Sequence, residues 1–481
     1  MISKFVREQR RYTQQELCDI FECSENEAIT YIRKLKEYGV LKAVKVSDAQ
    51  KNLSDLQEAD IEIADVEVGE NEYLYVFTFV GVIVCAGRAL KCYPKYILHT
   101  TKPTAELQQV IKVMGKYNSK EQIVRMFNDS SESRAFNLLA VILFILQDYY
   151  ENGVYSNTED VIESNGLGEI LWDKTINETF TLLSNNRPYY TDLKTKRRLN
   201  DDYDYFKRLH ECILTIASKE LQEADLLDIF EIAEVNLTDE ELDDFGDKEY
   251  ILYRIEKELN TQFNTRKQFV LKTMYAYINH SGSLFDTDCL SIFGTNSFNL
   301  VWEDVCADIM DNQLKKPLES LKLPIPLKPE YDRKQKLIEL IEKPLWTATG
   351  KTANDTLIPD LISISETNYG FDFIIFDAKY YNAILELSVQ PKGQPGIESI
   401  TKQYLYQLAY QKFIKDYGFS SVRNCFLMPT EADYVIDKGE VSMTMFESLG
   451  LENIKVRFLP ATLAYEHYLS GIKLDISELN L

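Results

Sequence analysis

Two aspartates and a lysine in the C-terminal third of the sequence are residue types that suit metal-dependent hydrolysis. Asp360 follows a proline, and Asp377 and Lys379 belong to an Asp-Ala-Lys sequence further along the chain. Two carboxylates at one place repel each other unless a cation lies between them, and a hard divalent cation such as Mg²⁺ prefers oxygen ligands. In a strand, Lys379 and Asp377 point to the same face, where an ammonium group can hold a scissile phosphate or an attacking water.

The residues between the two aspartates predict the element that brings them together. Leu361–Ser365 and Phe371–Phe376 are rich in β-branched and aromatic residues, and a turn-prone segment ending in Gly370 separates them. We therefore predict a β-hairpin that places Asp360 and Asp377 close together. The alternative is an ordinary hairpin that carries two solvated aspartates and a lysine.

The hairpin and its flanks resemble the PD-(D/E)XK nuclease superfamily, with an aspartate as the second acid. A helix is predicted before the hairpin at Ser297–Asn312, another after it at Ile400–Tyr417, and a further strand at Ser421–Met428. This order is similar to the αβββαβ core of that superfamily. The resemblance implies a nuclease that hydrolyses phosphodiester bonds.

The same resemblance implies that the helix before the hairpin offers a carboxylate to the metal. Glu303 is the candidate and Asp304 is its rival, because both lie near the apolar stripe of that helix. The alternative is that both are surface acids.

A glutamine on the helix after the hairpin is the last site residue that the superfamily implies, as a group that holds a phosphate, a water or the catalytic acid. Gln407 is the first candidate and Gln403 the second, and they lie one helical turn apart on one side. The alternative is a polar helix face without a role in catalysis.

Longer stretches resemble one family of restriction enzymes, the LlaJI family, which is related to the McrC nuclease subunits. The resemblance covers much of residues 70–440 and is carried by Pro359-Asp360, Asp377–Tyr381, Gln403–Tyr410, Asn165–Trp172 and Arg187–Tyr190. It implies a DNA-cleaving subunit of a prokaryotic restriction or phage-defence system.

Together these resemblances imply a cofactor and its ligands. The cofactor is Mg²⁺, with Mn²⁺ as the alternative metal. Asp360, Asp377 and the backbone carbonyl of Ala378 would hold it, and Glu303 would complete the set of ligands or orient a metal-bound water. Lys379 would position or activate the attacking water and offset charge in the transition state.

The family also implies partners. These are double-stranded DNA, an AAA+ GTPase or ATPase subunit resembling McrB, and cognate DNA methyltransferases of the same system. The sequence contains no nucleotide-binding motif that contradicts this division of labour. Gly350-Lys351-Thr352 resembles the end of a Walker A motif, but the earlier glycine that the motif needs is missing.

The composition predicts a folded protein of several domains in a cytoplasm, which the family resemblance implies to be prokaryotic. The chain has 481 residues, of which 45% are hydrophobic. Its eight Cys are scattered and it has only four His, which argues against a zinc site or a disulfide framework. We see no secretory signal and no apolar run long enough for a membrane. The formal net charge of −23 is unusual for a DNA-binding protein, so we expect local basic patches, a metal or a partner to supply DNA affinity.

Residues 1–50 predict a winged helix-turn-helix. Capping boxes begin at Thr13 and Ser24, each ahead of an amphipathic helix, and Gly39 ends the second helix before an apolar strand. The predicted DNA contacts lie on the exposed side of the second helix: Asn26, Thr30, Arg33 and Lys34. A winged fold used for protein–protein contact is an equal alternative.

The complete prediction is a multidomain α+β protein. After the winged module and a polar linker at Ser47–Glu72, residues 51–285 form a mixed β and helical middle region for DNA or partner docking. Residues 286–481 form the C-terminal α/β PD-(D/E)XK nuclease core. In the middle region, a basic cluster that includes Lys196, Arg197 and Arg198 is predicted to meet DNA phosphates, with a plain exposed loop as the alternative.

Two other functions stay open at this point. One is a DNA-binding or adaptor subunit of a defence complex with a degenerate nuclease fold, although none of Asp360, Asp377 and Lys379 is replaced by an inert residue. The other is a nuclease that acts on RNA or on nicked ends.

Overall fold

The protein is a mixed α+β chain whose strands form several separate sheets. The computed structural model describes residues 2–45, 73–118, 137–157, 159–199, 205–280, 282–286 and 290–481. These divide into two units. The first unit comprises Val84–Arg88 and Ala135–Ile292, and the second comprises Ile2–Ile83, Ala89–Arg134 and Phe293–Leu481. The predicted linker at Ser47–Glu72 lies outside the described residues.

The strands are mostly short, and the longest lie near the C-terminus. They are β1 (Ile2–Arg7), β2 (Arg11–Tyr12), β3 (Leu41–Lys45), β4 (Tyr73–Phe77), β5 (Val80–Cys85), β6 (Arg88–Tyr93), β7 (Glu159–Ser164), β8 (Glu169–Ile170), β9 (Thr181–Ser184), β10 (Arg187–Tyr190), β11 (Lys194–Leu199), β12 (Leu290–Thr295), β13 (Leu345–Trp346), β14 (Lys351–Thr352), β15 (Leu361–Thr367), β16 (Gly370–Ala378), β17 (Ser421–Thr430), β18 (Ile436–Val441) and β19 (Ile454–Pro460). Their sheet orders are β1-β6-β5-β12, β2-β4-β3, β7-β11-β8, β9-β10, β13-β14 and β15-β16-β17-β19-β18.

The helices range from a single turn to a long helix that covers the C-terminal sheet. They are α1 (Gln14–Phe21), α2 (Glu25–Glu37), α3 (Thr104–Asn118), α4 (Leu138–Asn152), α5 (Trp172–Glu178), α6 (Tyr205–Glu223), α7 (Leu227–Phe230), α8 (Lys248–Thr261), α9 (Thr265–His280), α10 (Phe298–Ile309), α11 (Ile397–Tyr417), α12 (Thr444–Glu447) and α13 (Ala461–Ser470). Within the described ranges, no helix combines the length and the apolar character that crossing a membrane requires.

The N-terminal helices form where their capping residues predict. Thr13 and Glu16 make a reciprocal capping box at α1, and Ser24 and Glu27 make one at α2. Gly39 has a φ of 69°, which a glycine adopts without steric cost, so α2 ends here and β3 follows. These predictions are confirmed. Strand β3 pairs with β4, so this sheet extends past the predicted boundary at residue 50.

The C-terminal sheet places the predicted site at one of its ends. The predicted hairpin is confirmed as the antiparallel pair β15–β16. Strands β17 and β19 continue the sheet in parallel register, and β18 pairs with β19 in the antiparallel direction. The predicted helices before and after the hairpin are confirmed as α10 and α11, and the predicted further strand as β17.

The two faces of this sheet are covered by different helices because side chains alternate along a strand. On one face, α11 buries Tyr406, Tyr410 and Phe413 against Ile362 and Ile375 of the hairpin. On the other face, where α10 lies, the Ser363 hydroxyl donates to the carbonyl of Met310, the residue after α10. The indole of Trp302 in α10 donates to the Leu427 carbonyl of β17 over 3.3 Å.

In the first unit, α4 is apolar on most sides and packs against α6 and α9. Asp148 of α4 is buried, and the guanidinium of Arg266 holds it in a two-pronged ion pair with N–O distances of 3.0 and 2.6 Å. This pairing satisfies a charge that would otherwise be costly to bury.

Residues 159–199, which we call the hairpin module, form a small β-rich part of the first unit. They comprise the sheet β7-β11-β8, the β9–β10 hairpin and helix α5. The Lys194 amide of β11 donates to the hydroxyl of Thr175 over 2.9 Å, which fastens α5 to the sheet. The basic cluster is therefore part of strand β11, which corrects the alternative of a plain loop.

Candidate functional site

The pairing of β15 with β16 brings the two predicted acids together. Leu361 lies opposite Phe376, so Asp360 and Asp377 lie opposite each other at the end of the pair. Asp377 belongs to the sheet face that α11 covers, because Ile375, two residues before it on β16, packs there. Asp360 precedes the first residue of β15. With Lys379 and Glu303, described next, we call this site the acid–lysine corner.

Hydrogen bonds fix the backbone of the corner. The Ala378 amide donates to Asp360 Oδ2 over 3.0 Å, which ties the start of β15 to the end of β16. The Lys379 amide donates to the Leu427 carbonyl of β17 over 2.8 Å. These two hydrogen bonds thus fix Asp360, Asp377 and Lys379 between the start of β15 and strand β17.

Lys379 lies beside Asp377, as the two-residue spacing predicts. Its Nζ is 2.9 Å from Asp377 Oδ1, an ion-pair distance. Asp377 is only 4% exposed, and its Oδ1 has no hydrogen-bond partner in the described part of the chain. Its ion pair with Lys379 compensates part of the cost of burying it, and its remaining acceptor capacity can serve a further ligand.

Electrostatics at the corner reflect two carboxylates in a poorly solvated place. Burial raises the pKa of Asp377 well above its ordinary value, and the neighbouring Asp360 raises it further, while Lys379 opposes both effects. Burial alone would lower the pKa of Lys379, but the attraction of Asp377 and then of Asp360 outweighs it, and the pKa is raised. Lys379 is therefore a cation at neutral pH.

Glu303 approaches the corner from α10. Its side chain is half-buried, and burial together with the charge of Asp360 raises its pKa to about 7. Its predicted rival, Asp304, is exposed and accepts a hydrogen bond of 2.7 Å from the hydroxyl of Tyr468. The structure therefore brings Glu303 towards the aspartates and directs Asp304 elsewhere.

The two glutamines of α11 are buried but serve different contacts. Gln403 donates from Nε2 to the Ile375 carbonyl over 2.8 Å, two residues before Asp377. Gln407 accepts at Oε1 from Asn424 Nδ2 over 2.7 Å and from the Glu452 amide over 3.0 Å, which joins α11 to β17 and to the segment before β19. These bonds give Gln407 a structural role, and its role in catalysis stays a prediction.

Tyr406 is a residue near the corner that sequence reasoning did not single out. It is buried in one cluster with Ile362 and Ile375, which lie two residues from Asp360 and from Asp377 along the hairpin. Burial raises the pKa of its hydroxyl, and the charges of Asp377 and Asp360 raise it further. Its position three residues after Gln403 on a helix was the available signal.

The donor set of the corner fits a hard divalent cation. Asp360 and Asp377 supply carboxylate oxygens, among them Asp377 Oδ1, which is ion-paired with Lys379, and such cations prefer oxygen ligands. Elsewhere in the described ranges, as here, no group of three or more His, Cys, Asp or Glu side chains is gathered tightly enough to hold a metal. Glu303 therefore lies near the pair without yet forming a three-carboxylate set.

The predicted DNA contacts lie in two places. On α2, Asn26, Thr30 and Arg33 are exposed and Lys34 is half-buried. On β11, Lys196 is half-buried and pairs with Ile162 of β7 through the backbone. Arg197 and Arg198 also belong to β11, but their side chains lie outside the described part of the structure.

One curated relative aligns with most of this chain. It is the Type II restriction enzyme BsuMI component YdjA of Bacillus subtilis (strain 168), which is 25% identical over 406 residues, or 82% of this chain and 81% of the relative.

Two solved structures are similar at low scores. A chain of the refined half-complex from the tetradecameric assembly of Thermococcus gammatolerans McrB AAA+ hexamers with bound McrC is 11% identical, with a TM-score of 0.37 and 98% and 99% of the two chains covered. A chain of the Thermococcus gammatolerans McrBC complex is 12% identical, with a TM-score of 0.25, and the match covers 63% of this chain and 84% of that one. Scores this low support no inference about fold or partner.

The sequence model of the family named LlaJI restriction endonuclease matches residues 79–459. This match spans most of the chain and includes β15, β16, α10 and α11, which carry the acid–lysine corner. The chain belongs to the LlaJI restriction endonuclease family.

Proposed function

We propose that this chain is the metal-dependent DNA endonuclease subunit of a prokaryotic restriction or anti-phage system, with a nuclease core of the PD-(D/E)XK type at residues 286–481. The observation that carries the proposal is the meeting of Asp360, Asp377 and Lys379 at the end of the β15–β16 pair. Membership of a restriction endonuclease family supports the same reaction.

The proposed cation is Mg²⁺, with Mn²⁺ as a substitute. Asp360, Asp377 and the Ala378 carbonyl would hold it, with Glu303 as a further ligand or as a residue that orients water. A bound divalent cation would stabilise the negative charge on the phosphate in the transition state of phosphodiester hydrolysis, and would make water a better nucleophile.

The protein's own residues supply the remaining steps. The ammonium group of Lys379, fixed beside Asp377, orients the attacking water and offsets charge on the phosphate. The pKa of Glu303 near 7 allows its carboxylate to accept or release a proton close to neutral pH. Gln403 and Gln407 hold α11 against the sheet and so support the corner.

We further propose that the N-terminal elements act as a winged helix-turn-helix that contacts DNA. The order β2, α1, α2, β3 and β4, with the three strands in one sheet, supports this assignment. Asn26, Thr30, Arg33 and Lys34 of α2 would meet the groove or the phosphates. The middle region, residues 51–285, would add Lys196, Arg197 and Arg198 or serve for docking.

The proposed partner is an AAA+ NTPase subunit, with cognate DNA methyltransferases in the same system. The related protein of Bacillus subtilis is named as a component of a restriction enzyme, which supports a multi-subunit arrangement. The hairpin module exposes large apolar residues, among them Phe180 and Leu183, as surfaces that bind other proteins do. We place this system in the bacterial or archaeal cytoplasm.

Plasmid cleavage tests the proposal. The purified chain is incubated with supercoiled DNA in Mg²⁺ or in EDTA, with and without the product of a neighbouring NTPase gene and GTP or ATP. We expect metal-dependent cleavage that the partner and nucleotide stimulate. DNA binding without cleavage under every condition would instead favour the adaptor function, and cleavage of RNA alone would redirect the substrate.

A further inference from the structure

Glu8, at the end of strand β1, is a buried acid far from the corner in sequence. It is 6% exposed. Its Oε2 accepts from the Lys95 amide over 3.2 Å and from the hydroxyl of Tyr380, and its own amide donates to the Tyr93 carbonyl over 2.9 Å. A carboxylate of this kind is costly to bury, so its place calls for an explanation.

Tyr380, whose hydroxyl donates to Glu8, is the residue after Lys379. Its ring is buried between Phe298 of α10, with centroids 5.2 Å apart, and Tyr96, with centroids 6.2 Å apart. The ammonium of Lys95 lies 4.4 Å from the ring centroid and donates to Gln9 Oε1 over 3.0 Å. Aromatic packing, a cation–π contact and a hydrogen bond therefore fix one ring together.

The backbone at Lys379 is consequently held from two sides. On one side, its amide donates to the Leu427 carbonyl of β17, which also accepts from the Trp302 indole. On the other side, the next residue, Tyr380, is anchored to Glu8 by its hydroxyl. Because Tyr380 follows Lys379 directly, a displacement of the Tyr380 backbone also moves the Lys379 backbone.

We infer that Glu8 and Tyr380 are positioning residues for Lys379, so that the N-terminal segment of the chain is part of the nuclease centre. This inference rests on the proposed function, because it assigns Lys379 a role in cleavage. Neither residue touches the reacting atoms. Their effect is to fix the direction in which the Lys379 ammonium enters the corner, and small errors in such positions slow catalysis strongly.

The anchor also leads along the chain into α1, the first helix of the proposed winged module. The segment after Glu8 is itself fixed, since the Gln9 amide donates to the Phe77 carbonyl over 2.9 Å and Arg10 pairs with Glu16 of α1 at 3.0 Å. The chain thus passes from the anchor of Tyr380 into α1 through a short, well-bonded segment.

The test compares two tyrosine-to-phenylalanine substitutions. Tyr380→Phe removes only the hydroxyl that bonds Glu8. Tyr417→Phe is the matched control, because Tyr417 is also buried, its hydroxyl accepts from the Lys328 amide over 3.0 Å, and Lys328 Nζ lies 5.9 Å from its ring centroid. Each variant loses the hydrogen bond of one tyrosine hydroxyl, buried for Tyr380 and partly buried for Tyr417, so both are expected to lower Tm.

The two variants are then compared by single-turnover cleavage and by DNA affinity, well below their Tm. We expect Tyr380→Phe to lower the cleavage rate about 10-fold or more, as outer residues of metal sites do, with unchanged DNA Kd. Tyr417→Phe should cleave like the wild type. Equal rates for both variants would overturn the inference, as would a loss explained by weaker DNA binding.

Variants of Glu8 give a second, independent measurement. Glu8→Gln keeps an oxygen acceptor for the Tyr380 hydroxyl and should cleave faster than Glu8→Ala. The double variant Glu8→Ala with Tyr380→Phe should cleave no more slowly than the slower single variant. The reason is that both substitutions remove the same hydrogen bond between Glu8 and Tyr380. Additive losses contradict the inference. If the wild type itself cleaves no DNA with Mg²⁺ and the partner, the proposed function fails, and this result is distinct from any difference between variants.

Discussion

The acid–lysine corner and the hairpin module differ in what they bury and what they expose. The corner buries charge: Asp377 is 4% exposed and lies against Asp360 and Lys379. The module exposes apolar side chains, with Phe180 at 74% and Leu183 at 78%. A buried polar group and an exposed apolar patch are the two arrangements that carry information in a folded protein.

The difference indicates what each region lacks when the chain is alone. The corner has an excess of negative charge in a poorly solvated place, which a divalent cation relieves. The module has an excess of apolar surface in water, which another protein surface relieves. We therefore expect metal removal to affect the corner alone, and loss of the partner to leave the corner's chemistry intact.

The largest expected effect is at the corner. Lys379→Ala and Asp377→Ala should each lower the cleavage rate on the order of 10³-fold, because one removes the ammonium proposed to orient water and the other removes a proposed metal ligand. Calorimetric titration with Mg²⁺ or Mn²⁺ should separate them, since Asp377→Ala loses metal binding and Lys379→Ala keeps it. Circular dichroism checks that both variants fold.

The control for this pair is Asp372→Ala. Asp372 lies on the same strand, β16, opposite Ser365 and away from the corner, so the variant removes an acid from the same element. It should cleave and bind metal like the wild type. Wild-type cleavage by Lys379→Ala or Asp377→Ala would remove the corner from the mechanism.

How well the sequence predicts each region follows from how local its signals are. The capping boxes at Thr13 and Ser24, the hairpin around Gly370 and the alternation that pairs Lys379 with Asp377 depend on neighbouring residues, and the structure contains all of them. Glu303 was predicted by resemblance, and its place near Asp360 supports the choice over Asp304.

What the sequence could not provide are contacts between segments far apart in the chain. Tyr380 bonds Glu8 across most of the chain, and no periodicity or spacing reports such a pair. Gln407 illustrates the converse, since its helical position was read correctly but its side chain bonds Asn424 and the Glu452 amide. Side-chain partners depend on packing, which local patterns do not encode.

A second prediction concerns stability at acid pH, which should change in the unit that carries the module and not at the corner. His210 of α6 is buried, its Nδ1 accepts from the Tyr155 amide over 2.8 Å, and burial lowers its pKa to about 4, against a weaker opposing effect of Asp148. As the pH falls, the imidazole of His210 is therefore protonated in the unfolded chain before it is protonated in the folded one. The contribution of neutral His210 to the free energy of unfolding is complete above pH 6.5. It is lost as the pH falls from 6.5 to 4, a change of about 3 kcal/mol.

Hydrogen exchange at several pH values measures this change helix by helix. Protection of α4 and α6, in the first unit, should fall between pH 6.5 and 4, and His210→Gln should flatten that dependence. Protection of α11, beside the corner, should not follow the same titration. A wild-type pH profile in the His210→Gln variant would contradict the assignment.

A smaller effect is expected at the module. Phe180→Ser combined with Leu183→Ser should weaken binding of the NTPase partner by about 30-fold, or ~2 kcal/mol, because exposed apolar anchors are lost. Metal-dependent cleavage by the isolated chain should not change, since the corner is untouched. The control is Leu449→Ser, which alters another exposed leucine outside the module. Equal partner affinities for the module and control variants, measured by surface plasmon resonance, would exclude the module as the docking surface.

The smallest effect concerns which region supplies DNA affinity. Arg33 of α2 is exposed, whereas Lys196 of the module is half-buried and already has interactions. Arg33→Ala should therefore weaken DNA binding several-fold and lower the slope of log K against log salt by about 1, the value for one lost phosphate contact. Lys196→Ala should have less effect, and Lys412→Ala, an exposed lysine of α11, should have none. If Lys196→Ala lowers the slope and Arg33→Ala leaves it unchanged, the phosphate contact belongs to the module, and the N-terminal helices serve protein contact instead.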